Sequence, residues 1–123
     1  MASIVQGRIV YALDPVPDRA GRNPKENRPF IVLSTNEELE SGGDLSVVAI
    51  SHVVVGAAAE VELPSGHNCL TRLRTKSAAI CDWTTTLDRS RVEVRTGFVP
   101  PVHFREILQK VALCADGGEP PAA

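Results

Sequence analysis

Apolar positions along the chain come in short runs set off by polar, proline- and glycine-rich breaks, the pattern of a protein built mainly from strands. In "QGRIVYAL", Ile9, Tyr11 and Leu13 alternate with neighbours of the other character, which predicts a first strand. It ends where "DPVPDRAGRNPKENRP" begins, a loop with four prolines that is longer than most hairpin connections. "FIVLS" then reads as a second strand, "NEELESGGD" as an acidic turn, and the β-branched run "DLSVVAISHVVV" as a third strand. A fourth strand is expected at "AAEVELP", closing on the turn "PSGHN", and two more at "KSAAICDW" and "RVEVRTG" on either side of "TTTLDRS".

Only the end of the chain changes period. In "PVHFREILQKVALCA", Phe104, Ile107, Leu108, Val111 and Leu113 with Cys114 recur every three to four positions, with prolines before and "DGG" after, which predicts one amphipathic helix. The tail "DGGEPPAA" is expected to be disordered. Many short strands and a single terminal helix point to a mainly β fold, a small antiparallel sheet or barrel, and there is no internal repeat. At 123 residues the chain has room for one core and not two, so residues 1–115 are expected to form one domain and 116–123 a tail.

Composition narrows the functional classes. A net charge of −2 means that a nucleic-acid partner has to be met by a local basic patch. Such bias exists: of 13 basic residues, Arg19, Arg22, Lys25 and Arg28 lie in one short stretch and Arg72, Arg74 and Lys76 in another, while acids gather in "NEELESGGD". Two solvated loops would look the same on charge alone. No apolar run approaches the roughly 20 residues of a membrane span, and the N-terminal residues lack a secretory h-region, so a cytoplasmic location is expected. Cys69, Cys81 and Cys114 are odd in number and too far apart for a Cys-x-x-Cys spacing, so they read as reduced thiols, and neither a metal nor a cofactor is expected.

Arg28-Pro29 stands out because it closes the basic loop directly before an apolar run. Proline fixes its own φ and restricts the residue before it, so a guanidinium is held at the mouth of a strand. Guanidinium groups grip phosphate bidentately. A loop surface charge contributes little to stability, so replacing Arg28 is expected to leave unfolding nearly unchanged.

Taken in order, "GRIVYA", "RPFIVLS", "VVAIS", "KSAAICD" followed by "TTLDRSRV", then "GFV" and a terminal helix resemble the MazF/PemK (Kid) toxins of bacterial toxin–antitoxin pairs, over roughly residues 4 to 113. The resemblance implies an SH3-like β-barrel of the CcdB/Kid/MazF type, a homodimer, a cognate antitoxin partner, and a metal-independent endoribonuclease cutting single-stranded RNA. In that chemistry the ribose 2′-hydroxyl attacks the adjacent phosphate, leaving a 2′,3′-cyclic phosphate and a 5′-hydroxyl.

Carried onto this chain, the resemblance makes Arg28, Ser51 and Asp82 the catalytic candidates. Arg28 matches the arginine of the family's Arg-Pro pair and would hold the phosphate. Ser51 stands where the family usually has threonine and would hydrogen-bond the phosphate, although a strand-end hydroxyl is commonly satisfied by backbone. Asp82 matches the catalytic aspartate of the Kid-like branch. The arginine expected two residues before it is Ile80 here, so another cation would be needed, from Arg28, Arg72 or Arg74. A further departure is Asn23, where some members carry an acid. Arg19, Arg22, Lys25, Arg72, Arg74 and Lys76 are the candidate RNA contacts.

Histidine suits general acid or base work, but His52, following Ser51 in a strand, is expected to face away from it. Trp83, the only tryptophan, suits the core better than a base-stacking role. Ile80 and Asn23 also leave room for a non-catalytic module of the same fold, like the related CcdB, which binds DNA gyrase, or for an RNA- or DNA-binding protein.

Overall fold

The computed structural model describes residues 3–115. Six strands form one antiparallel sheet: β1 (Arg8–Ala12), β2 (Pro29–Val32), β3 (Leu45–Ser51), β4 (Glu60–Leu63), β5 (Ser77–Leu87) and β6 (Val92–Phe98). Their spatial order is β4-β5-β3-β2-β1-β6, so β4 and β6 are the two edges and the sheet is barrel-like without being closed by hydrogen bonds. Two helices complete the fold, a short α1 (Asn36–Ser41) between β2 and β3 and α2 (Pro101–Ala115) at the end. The tail 116–123, expected to be disordered, lies outside the described residues.

Both faces of the central strands are covered, which is why β2 and β3 read as unbroken apolar runs and not as alternation. On one face Ile9, Ile31, Val48, Ile50, Ala79 and Cys81 pack with Phe104, Ile107 and Val111 of α2. On the other, Val10, Phe30, Val32, Leu45 and Val47 pack with Leu39 of α1. The alternation in β1 is therefore between two cores and not between core and water.

Three elements differ from the pattern-based expectation. "NEELES" is a helix: Thr35 caps it, its hydroxyl accepting the Glu38 N–H at 3.2 Å while the Glu38 carboxylate accepts the Thr35 N–H at 3.1 Å. Arg89 donates to the Leu39 carbonyl (2.8 Å) and satisfies the far end. β3 stops at Ser51 and does not run on to Val55, and β5 continues through the three threonines to Leu87.

In α2 the apolar stripe is also narrower than the spacing suggests. Leu108 and Leu113 are exposed, and Lys110 is buried in their place. Its stem packs inward while Nζ donates to the Glu60 carbonyl at the start of β4 (3.0 Å), with Glu106 Oε1 3.6 Å away.

Candidate active-site groove

A cavity of about 910 Å³ opens between the 14–28 loop and the end of β3. Arg19, Lys25, Arg28, Ser51, His52 and Trp83 are among the residues that line it. The loop earns its order from main-chain bonds. Val16 and Lys25 pair across it in an isolated bridge, their N–H groups and carbonyls exchanging two 3.0 Å bonds. Asp18 Oδ1 accepts the N–H groups of Ala20 (3.0 Å) and Arg22 (2.9 Å), an Asx-type turn. These bonds, the Arg22 N–H foremost, hold the Asp18 carboxyl below its ordinary 3.8.

Arg28 is half-buried and fastened to that loop. Its Nε donates to the Val16 carbonyl (2.6 Å) and its Nη2 to the Asn23 carbonyl (3.0 Å). A guanidinium has five N–H donors, so three remain for a ligand in the groove. Asn23, at φ 50, takes the left-handed conformation that turns its carbonyl toward Arg28, a conformation asparagine tolerates better than most residues. Where the sequence suggests a loop charge that contributes little to stability, the Arg28 side chain instead donates two hydrogen bonds that hold the loop against the start of β2.

Ser51 lines the groove, and its hydroxyl is engaged locally. Its Oγ accepts the Val53 N–H at 3.1 Å, the short-range bond that such strand-end hydroxyls favour. His52 also lines the groove. The strand ends at Ser51, so the two-residue alternation that would send His52 to the other face no longer applies.

The third catalytic candidate sits to one side. β3 and β5 pair as Val48↔Thr84 but then as Ala49↔Ile80, so Cys81, Asp82 and Trp83 form a three-residue bulge with no partner in β3. Cys81 turns into the core under α2, where burial pushes its thiol up to about 12. Trp83 turns to the groove. Asp82 is outside the groove lining and is reached from it by Arg19, whose Nη2 is 2.6 Å from Asp82 Oδ2. Ile80, at the position where the resemblance calls for arginine, is buried and offers nothing to the site. Arg19 is the cation that faces Asp82 instead, and no feature of the sequence marks it, because it comes from a loop more than sixty positions away.

The second basic stretch is divided. Along residues 71–77, Leu73, Thr75 and Ser77 line the groove, while Arg72 and Arg74 line a separate cavity of about 580 Å³ with His67 and Asn68. Lys76 is 3.7 Å from Glu62. Arg22 is exposed outside the groove lining. Of the six candidate RNA contacts, only Arg19 and Lys25 therefore share the groove with Arg28 and Ser51. Trp83 is the groove residue that sequence reasoning placed elsewhere: it is half-buried, not core, with the Arg28 guanidinium 5.8 Å from its ring centroid. Among the described residues no helix is long and apolar enough to cross a membrane.

Comparison with known proteins places this geometry. The model of the PemK-like, MazF-like toxins of type II toxin-antitoxin systems matches residues 6–114. Among solved structures, MazF from Deinococcus radiodurans superposes with a TM-score of 0.71 at 21% identity, over 94% of this chain and 99% of that one. The Mycobacterium tuberculosis toxin MazF-mt6 gives 0.68 at 17% identity, over 89% and 97%. An endoribonuclease in complex with its cognate antitoxin, from a mycobacterial species, gives 0.69 at 19% identity, over 96% and 100%. No curated protein matches.

Proposed function

The chain belongs to the PemK-like, MazF-like toxins of type II toxin-antitoxin systems, and we propose that it acts as an endoribonuclease on single-stranded RNA in the groove between the 14–28 loop and β3. The observation that carries this reading is Arg28, held by two loop carbonyls with three donors still free beside an open cavity. Charge builds on the phosphate oxygens as the ribose 2′-hydroxyl attacks, and a cation fixed beforehand stabilises that charge without reorganising.

In the proposed reaction the 2′-oxygen forms a bond to phosphorus as the bond to the 5′-oxygen breaks, leaving a 2′,3′-cyclic phosphate and a 5′-hydroxyl. Arg28 holds the non-bridging oxygens, and the Ser51 hydroxyl donates to one of them by rotating away from its local turn. Asp82, outside the groove lining but paired with Arg19, which lines it, takes the 2′-hydroxyl proton in this reading and returns it to the departing 5′-oxygen. No metal is required by these roles. Arg19 and Lys25 contact the flanking strand, and Arg22, Arg72, Arg74 and Lys76 extend the basic surface beyond the groove.

The protein would work in the cytoplasm as a homodimer and be silenced by a cognate antitoxin. An acidic segment that folds on binding suits the groove, because it would satisfy Arg28 and Lys25 while covering a large surface.

The test is incubation of the purified protein with a long single-stranded RNA in EDTA, followed by end-group analysis. Discrete cuts carrying 2′,3′-cyclic phosphates are expected, and a 2′-deoxy nucleotide at the cut site should abolish scission. Intact RNA from folded, antitoxin-free protein would overturn the nuclease reading, and cutting that survives the deoxy substitution would mean that water is the nucleophile.

A further inference from the structure

We propose that Trp83 is a stacking platform for an unpaired nucleobase of the bound strand, next to the phosphate site at Arg28. The inference rests on the reading of the groove as an RNA site and assigns a subsite within it.

Three observations lead there. The first is the bulge in β5. A strand interior alternates faces, and a bulge re-aims side chains that regular pairing would fix. Inserting Cys81, Asp82 and Trp83 opposite no residue of β3 lets Cys81 fill one core while the indole reaches the groove wall.

The second is the ring's surroundings. Trp83 packs part of its surface against the core formed by Val10, Phe30 and Val47, which anchors it, and leaves the rest in the cavity. A buried indole needs an acceptor for its N–H. Among the described residues the buried side-chain polar atom without a partner is His103 Nδ1 and not the indole N–H, so the indole N–H is not sealed in the core without an acceptor. A rigid aromatic that is anchored on one side and wet on the other is the arrangement that stacks bases without regard to sequence.

The third is its distance from Arg28. The guanidinium lies 5.8 Å from the ring centroid, near the outer limit of a cation–π contact, so the ring is not clamped by it. A nucleotide carries its base one sugar away from its phosphate. A cation and an aromatic at this separation can hold the two parts of one nucleotide, or of neighbours, at once. Stacking the base beside the gripped phosphate would fix the sugar between them, and with it the 2′-hydroxyl.

Because the chain has a single tryptophan, its emission reports on this site alone. The probes are a random-sequence 12-nucleotide RNA with 2′-O-methyl sugars, which lacks the nucleophile and cannot be cut, and an abasic oligonucleotide of the same length. Binding is followed by calorimetry and, in parallel, by tryptophan emission. The methylated RNA should quench the emission along its binding isotherm, and the abasic strand should bind without quenching. Trp83→Phe should bind the RNA within a few-fold of wild type, whereas Trp83→Leu should weaken it by roughly tenfold to a hundredfold, with thermal unfolding showing that both variants are folded.

Binding of the methylated RNA without any change in emission would overturn the proposal, as would equal affinity in Trp83→Leu and wild type. Quenching by the methylated RNA together with failure to cut ordinary RNA would uphold the stacking site and overturn only the nuclease reading. Absence of binding to either strand would overturn both.

Discussion

Replacing Arg28 separates the catalytic job proposed for it from the structural one its hydrogen bonds perform. In Arg28→Ala a phosphate bound as proposed loses its cation, and the Val16 and Asn23 carbonyls lose donors at 2.6 and 3.0 Å. The first loss falls on catalysis. Removing one preorganised donor from a developing oxyanion costs about 10²- to 10³-fold in rate, and cleavage should fall by at least that much. The second falls on stability. Hydrogen bonds from a charged donor contribute about 1.5–3 kcal/mol each when desolvated, and Arg28 is half-exposed, so the pair together is worth about 1–2 kcal/mol. For a domain of this length that lowers the thermal midpoint by roughly 3–8 °C. Arg28→Lys keeps the charge but cannot span both carbonyls, and it should recover part of the stability and little of the activity. The assays are fluorescent-RNA cleavage at saturating substrate and thermal unfolding followed by circular dichroism. Wild-type cleavage in Arg28→Ala would refute the catalytic role. An unmoved midpoint would refute the claim that the side chain fastens the loop.

Other perturbations probe the supports of the site. A Cβ on Gly97 would stand 2.3 Å from the Thr71 carbonyl oxygen, a backbone atom that cannot swing aside, so Gly97→Ala should cost about 1–3 kcal/mol in chemical unfolding and shift the 70–73 segment in amide exchange. Lys110→Met keeps the buried stem but leaves the Glu60 carbonyl without its donor, and should lower stability by about 0.5–1.5 kcal/mol, with Lys110→Ala worse because the packing goes as well. The Asp18 carboxyl is held below 3.8 in the folded loop, chiefly by the Arg22 N–H, so the order it confers is complete above pH 3.8 and lost as pH falls through the lower folded value. Protection of the amides of residues 19–23, measured relative to intrinsic exchange at each pH, should therefore fall below pH 3.8, and Asp18→Ala should show the reduced protection already at pH 7.

Much of the architecture was legible because the strands announce themselves by β-branched runs and the terminal helix by its period. The misses have specific physical causes. The helix α1 is six residues long, too short for periodicity to register, and the signal that was present was chemical: Thr35 and Glu38 at capping-box spacing. The burial of Lys110 escapes the pattern because periodicity cannot show a backbone carbonyl waiting for its ammonium across the core boundary. The length of β5 was underestimated because the bulge at residues 81–83 interrupts alternation where the strand goes on. Trp83 reads as core from its residue type, and it is the bulge, invisible to the pattern, that turns it to the groove.

The departure at Ile80 has a structural counterpart that bears on the site as a whole. With an aliphatic side chain buried at that position, the cations near Asp82 and near the groove both come from the 14–28 loop: Arg19 at 2.6 Å from Asp82, and Arg28 at the mouth of β2. Both depend on main-chain geometry. The Val16–Lys25 bridge sets the loop's width, Asp18 folds its tip through backbone N–H groups, and Arg28 is held by two carbonyls. A site built in this way tolerates varied side chains along the loop, provided the carbonyls and amides stay in place. It also concentrates the cations of the proposed cleavage site in one segment, so a partner that displaced this loop would remove both Arg28, the proposed phosphate cation, and the Arg19 partner of Asp82 in a single movement.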